Sequence, residues 1–285
     1  VAKTQYKETP EEQLPAVQQA QVPEAVDASD EVLAELAGLG NEEVRVDDAA
    51  TPFIRILQSN SPECMPAHAR YLKGAEAGMF FHTIRKQFFA GPLLLVDCFF
   101  EPLLIEWRPR GAGGGLVKIY PGGDPIQRAA VRVETQEGKR VDRLPNGNEL
   151  VNTAQHYFLW LDPAVKQWVP VVAGLSSTQL AHSRALNALL LDEKVLDKKS
   201  GRLVQAPRFS RFIKATTAVE RKGDNAWFGW HFDLGPRITA PVVPEALGFT
   251  KLLQAGKRRS RPEDYDPETG EVRGPEKRLD PDAPL

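Results

Sequence analysis

The sequence predicts a mainly β protein, a β-rich α+β body of antiparallel strands with one packed helix, set between disordered ends. Three observations predict it. From residue 51 to about 250, apolar and polar positions alternate in short runs divided by Gly, Pro, Asn and Asp turns, as half-buried strands require. One segment of that body, beginning at Leu175, carries a helix start instead. Residues 1–28 are rich in Gln, Glu, Pro and Ala, and residues 256–285 have a similar tail composition. Both are too poor in large apolar side chains to offset the entropy of folding.

The acidic arm, residues 1–50, holds one helical cue. In Ser29–Leu39, Ser29 or Asp30 caps, acids fill the first turn, and Gly38 and Gly40 follow the last apolar positions. A helix this short is marginal alone and needs a surface to dock on. The body, residues 51–255, opens with a strand over Pro52–Gln58 that ends at the Ser59–Pro62 turn, and Met79–Ile84 is a second strand. Leu93–Trp107 is long and apolar but contains Pro102, which predicts two strands or one bent edge strand. Leu116–Tyr120 is strand-like and Arg128–Glu134 alternates. Pro145-Asn-Gly147 marks a tight hairpin turn, because Asn-Gly tolerates positive φ. His156–Leu161 and Trp168–Val172 form a hairpin across Asp162-Pro163. The helix runs to about Leu191, opened by a capping box of Ser176 with Gln179 and a staple of Leu175 with Leu180. A polar loop follows. Arg208–Glu220 and Ala226–Leu234 then form a long hairpin, with Phe228, Trp230 and Phe232 on one face and Trp227, Gly229 and His231 on the other.

Charge is strongly segregated. The body carries 26 basic and 18 acidic residues, against 3 and 12 in the arm and 7 and 8 in the tail, residues 256–285. A basic body between acidic ends suits a polyanion-binding surface that its own tails can screen. No run of 18 apolar residues occurs, so no membrane helix is expected. The first fifteen residues lack the apolar core of a secretory leader. Cys64 and Cys98 support neither a disulfide framework nor a cysteine zinc site, which fits a reducing cytosol.

Enzymatic motifs are weak. Arg110-Gly-Ala-Gly-Gly-Gly115 has the glycines of a phosphate loop but lacks Lys-Ser/Thr and leads into a strand, so it reads as a flexible inter-strand loop. Asp97, Glu101 and Glu106 invite comparison with a metal-dependent nuclease, yet position 108 is Arg, which cannot act as a general base. These acids are expected to pair with arginines or to face water. His68, His82, His156, His182 and His231 show no metal-ligand spacing, and His182, among alanines and leucines, reads as a core residue. No Gly-x-Ser-x-Gly elbow supports a Ser-His-Asp triad. No catalytic residue, metal or cofactor is assigned.

Aromatic and basic residues interleaved on strands point elsewhere. Single-stranded nucleic acid is held by cations along its phosphates and aromatic faces against its bases. Arg85, Lys86, Arg108, Arg110, Lys118, Lys214, Arg221 and Lys222 are the phosphate candidates, and Trp107, Tyr120 and Trp227 the stacking candidates. Phe158, Phe228, Trp230 and Phe232 are assigned to the core. The C-terminal tip, with Asp280, Asp282, Pro284 and Leu285, is acidic and ends on an apolar side chain. Such a tip suits a small apolar pocket ringed by basic residues on a partner.

Pro52–Pro62, Tyr71–Phe81, Glu106–Arg110, Leu175–Asn187 and Trp227–Trp230 resemble segments of a group of tailed-phage proteins given as single-stranded DNA-binding or unassigned. The resemblance spans roughly residues 52–234. It implies an OB-like antiparallel barrel with hairpin insertions, acting in phage DNA replication or recombination. The tip is similar to the acidic tail of single-strand binding proteins, with Leu285 where those usually carry phenylalanine. The expected protein binds single-stranded DNA without strong sequence preference and requires no cofactor. It is expected to be a homo-oligomer in the cytoplasm of the infected bacterial host, away from membrane, recruiting polymerase or helicase through the tip. A virion structural or scaffold protein and a metal-dependent nuclease are the rival expectations.

Overall fold

The computed structural model describes residues 39–40, 51–109, 112–135, 138, 140–223 and 225–257. The chain divides into two units, 1–44 and 45–285, and the strands and helices of the β-rich body belong to the second. Within the cue at Ser29–Leu39 all but Leu39 lies outside the described residues, as do Arg110 and the C-terminal tip.

In chain order, β1 (Ile54–Ile56), β2 (Phe80–His82) and β3 (Gln87–Phe89) form a small antiparallel sheet. The large sheet is built from β4 (Leu93–Trp107), β5 (Leu116–Pro121), β6 (Val131–Glu134), β7 (Arg140–Arg143), β8 (Glu149–Asp162) and β9 (Gln167–Ser176). After α1 (Leu180–Asp192) comes a separate two-stranded ribbon, β10 (Lys194–Asp197) with β11 (Arg202–Gln205). The hairpin β12 (Arg211–Lys222) and β13 (Asn225–Arg237) rejoins the large sheet, and α2 (Val243–Gln254) closes the described chain.

The large sheet runs β13–β12–β4–β8–β7–β6, with β5 also on β4 and β9 also on β8. Its centre is the β4–β8 pair, matched from Leu95 with Trp160 to Trp107 with Glu149. Both of its faces are covered, which explains why these strands read as apolar runs. Phe158 and Trp160 face one core with Leu95, Phe80 and the α1 residues Leu186 and Leu190. Tyr157 and Leu159 face the other, with Val96, Cys98 and the α2 residues Ala246, Phe249 and Leu253. That division follows the two-residue period of a strand. Phe158 and Trp230 are buried, and Phe228 and Phe232 pack against the same core, where the sequence places them.

The small sheet sits against both β9 and β13. Phe53 bridges Val172 of β9 in parallel. At β13 no strand is added. Instead Gln58 acts as a surrogate strand: its Nε2 donates to the Phe228 carbonyl at 2.9 Å, and its Oε1 accepts from the Phe228 N–H at 2.9 Å. Gln179 Oε1 likewise accepts from the Trp230 N–H at 2.9 Å. Backbone groups that an edge would leave bare are thus satisfied. The fold is mainly β and antiparallel, as expected; no ladder among the described residues joins β13 to the far end of the order, so the ladders alone do not establish an OB ring.

Several local expectations change. Leu93–Trp107 is one central strand rather than two strands or an edge. Pro102 is accommodated because it falls where one flank of β4 changes partner: β12 pairs as far as Leu95 and β5 begins at Leu103, so no ladder bond is lost there. A second packed helix, α2, joins the expected one, with Pro244 in its first turn, where a missing N–H costs nothing. The polar loop after α1 contains the β10–β11 ribbon. Residues 125–129 form a 3-10 turn, so the strand expected from Arg128 starts at Val131. Ser176 makes no side-chain cap bond, and the Gln179 side chain is engaged at the β13 edge instead of closing a capping box. The Leu175–Leu180 staple does pack, within the first core.

Candidate functional site

Two cavities open over the seam between β1, β9 and the start of α1. The larger, about 820 Å³, is walled by β1, the ends of β4 and β8, the β6–β7 hairpin and the residues leading into α1. The smaller, about 490 Å³, lies between the segment 55–60 and residues 226–230 of β13. Arg55, Gly174 and Thr178 line both, so the two meet as one cleft. Trp107 stands in the wall of the first and Trp227 in the wall of the second.

The lining is polar and net positive. Arg55, Arg132, Arg140 and Arg184 face Asp142 and Glu149 in the larger cavity, with Asn152, Thr153, Ser176, Ser177 and Thr178 between them. Arg132 forms a bidentate pair with Asp142. Arg55 Nη2 donates to Glu63 Oε2 at 2.7 Å, and its guanidinium lies 4.9 Å from the centre of the Phe81 ring. Arg140 and Arg184 are exposed and have no ion-pair partner among the described residues. The N-terminal end of α1 opens on the same space, and its dipole adds to the positive potential. Ser177 there has φ +53°, a left-handed conformation that is rare for a side-chain-bearing residue and common where backbone is turned toward a ligand.

Of the phosphate and stacking candidates named from sequence, the two tryptophans alone reach this cleft among the described residues. Trp107, half-buried, ends β4 opposite Glu149 and Leu116. Arg108 follows it and is exposed, its N–H bonded to the Gly115 carbonyl, and the described glycines 113–115 lead directly into β5. Tyr120 is not a free stacking face. Its hydroxyl donates to Glu106 at 2.6 Å and is pushed up to about 12 by that bond, while the Lys118 ammonium sits 4.7 Å from its ring centre. Arg85 is likewise committed, to an ion pair with buried Asp162. Lys86 is exposed in the β2–β3 turn, Lys214 on β12, and Arg221 and Lys222 at the tip of the β12–β13 hairpin. None of these cations lines the cleft.

The acids expected to pair or face water do neither uniformly. Glu106 is buried and accepts from Tyr120, Asn146 and Asn148, bonds that outweigh burial and hold its carboxyl below the usual range. Glu101 Oε2 accepts from the Tyr157 hydroxyl at 2.9 Å. Asp97 is wholly buried and receives Arg208 through both Nε (2.7 Å) and Nη2 (2.6 Å). Among the described residues no three His, Cys, Asp or Glu side chains are close enough to hold a metal ion.

Sequence reading missed what surrounds Asp97. His156 Nδ1 lies 2.8 Å from Asp97 Oδ2, and His156 Nε2 lies 2.7 Å from Ser183 Oγ. Residues 97, 156 and 183 come from β4, β8 and α1, so no local spacing reveals them. The connectivity is that of an acyl-transfer triad, but Ser183 is 1% exposed, too deep for a substrate carbonyl to reach its oxygen. It is a buried tie between helix and sheet. His182, expected in the core, is half-buried and turned to Glu220 instead.

Fold and cleft together define a mainly β protein with an arginine-bearing, tryptophan-flanked groove. The chain belongs to the Pam3 phage gp34-like protein family, whose model matches residues 18–259 and so places it among bacteriophage proteins. Neither a curated protein nor a solved structure matches it.

Proposed function

We propose that the cleft binds single-stranded DNA, without strong sequence preference, in phage DNA replication or recombination in the host cytoplasm. The observation that carries this is the pairing of two indoles, Trp107 and Trp227, with a net-positive polar lining along two joined cavities. Stacking on an aromatic face contributes about 1–3 kcal/mol per base and tolerates any base, while the arginines follow the backbone. Arg140 and Arg184 are the phosphate contacts in this reading, with Arg108, Arg221 and Lys222 extending the positive field beyond the cleft walls. Membership of a phage family supports the setting.

The test is a gel shift with a fluorescent oligonucleotide at low salt, with and without magnesium. A shift in both, with the oligonucleotide intact, is the expected result. No shift at low salt overturns the reading and leaves a virion or scaffold role in its place. Degradation only with magnesium replaces it with a nuclease.

A further inference from the structure

Trp227 is held by a device that the cleft itself does not require. Glu220 lies directly across the β12–β13 ladder from it. One carboxylate oxygen, Oε2, accepts from the indole Nε1–H at 2.8 Å. The other, Oε1, lies 2.5 Å from His182 Nε2 on α1; a carboxylate only accepts, so the imidazole donates. Beneath them is Gly229. A Cβ there would collide with Glu220 Oε1 and stand 2.6 Å from its Cδ, so the carboxylate rests on bare backbone that only glycine provides. Three elements therefore meet on one side chain.

The sign of the charge shows what this is for. A carboxylate beside an anion-binding groove opposes the ligand's phosphates, so attraction does not explain it. Orientation does. An indole near a hairpin tip has several open rotamers, and freezing one on binding costs side-chain entropy. Fixing the ring beforehand removes that cost.

We propose that Glu220 is a positioning residue: seated over Gly229 and buttressed by His182, it sets the plane of Trp227 as a base-stacking platform in the cleft wall. This rests on the single-stranded DNA reading. The test uses the full chain and a fluorescein-labelled oligo-deoxythymidine. Glu220→Ala is expected to weaken binding about tenfold, as Trp227→Ala does, with the double variant no weaker than Trp227→Ala alone. Glu220→Gln removes the charge but keeps an acceptor for the indole N–H, and is expected to bind at least as tightly as the unaltered chain. If Glu220→Ala and Glu220→Gln both bind as well as the unaltered chain while Trp227→Ala does not, the proposal is overturned and the binding reading survives. If nothing binds the oligonucleotide, that reading fails, and the clamp is judged without ligand. Acrylamide quenching of the Trp227 emission, taken by difference from Trp227→Phe, must then rise in Glu220→Ala; unchanged quenching overturns the clamp.

Discussion

Each deeply buried carboxylate among the described residues is matched by a partner from another element or turn: Glu63 by Arg55, Asp97 by Arg208, Glu106 by Tyr120 and Asp162 by Arg85. Burial alone would raise the Asp97 carboxyl, but Arg208 and His156 against it hold it below the usual range, so it stays ionised under the core. His82 shows the opposite sensitivity. Burial, aided by the nearby Arg85 charge, lowers it to about 4, and its Nδ1 accepts from the Arg85 backbone N–H at 3.1 Å, which requires the neutral ring. An unfolded histidine titrates near 6.5, so between that value and about 4 the unfolded chain binds the extra proton. Stability is therefore full above about pH 6.5 and falls as pH drops toward 4, by of order 2–3 kcal/mol. Urea midpoints at pH 7.5, 6 and 4.5 measure it, and His82→Gln should flatten that part of the profile. Neither the Asp97 nor the His82 environment was legible in sequence, since local context shows a histidine's neighbours and not its burial.

At the level of elements, alternation was enough for most strands. It located Leu116–Tyr120, the turn at Asn146-Gly147 and the long β12–β13 hairpin with Phe228, Trp230 and Phe232 inward. It misjudged Pro102, because whether a proline breaks a strand depends on which neighbour needs its N–H. It missed α2, where prolines at 236, 241 and 244 suggest loop while Val242, Ala246, Phe249 and Leu253 trace a helical stripe. It assigned Gln179 to a helix cap that the β13 edge takes instead. The junction of the small sheet with β13 gives a sharp prediction. Gly78 has φ +92°, and a Cβ on it would lie 2.6 Å from the Phe228 ring, while its carbonyl accepts from Thr217 Oγ1 at 2.8 Å. Gly78→Ala should lower stability by about 1–3 kcal/mol, seen as a fall in Tm, because strain and crowding add at one point. A Tm equal to that of the unaltered chain would show that this junction is loosely packed.

For the whole molecule, charge segregation and the cleft make one joint prediction. A basic body with acidic arm and tail should bind an oligonucleotide with affinity that falls steeply and linearly in log salt. Arg184→Ala, at an exposed helix position, should reduce that slope by about 0.7 without changing the melting temperature, as expected for one lost single-strand phosphate contact. An unchanged slope would remove Arg184 from the path. By itself the sequence determined the β class, the basic body, the core aromatics and the candidacy of both cleft tryptophans, since these follow from composition and from periods of two to four residues. Only the tertiary structure decided which cations share a groove. It withdrew Arg85 and Tyr120 into contacts with Asp162 and Glu106, and brought Arg55, Arg140 and Arg184 together from three separate elements. A side chain's partners depend on chain closure over tens of residues, and no local pattern records where that closure ends.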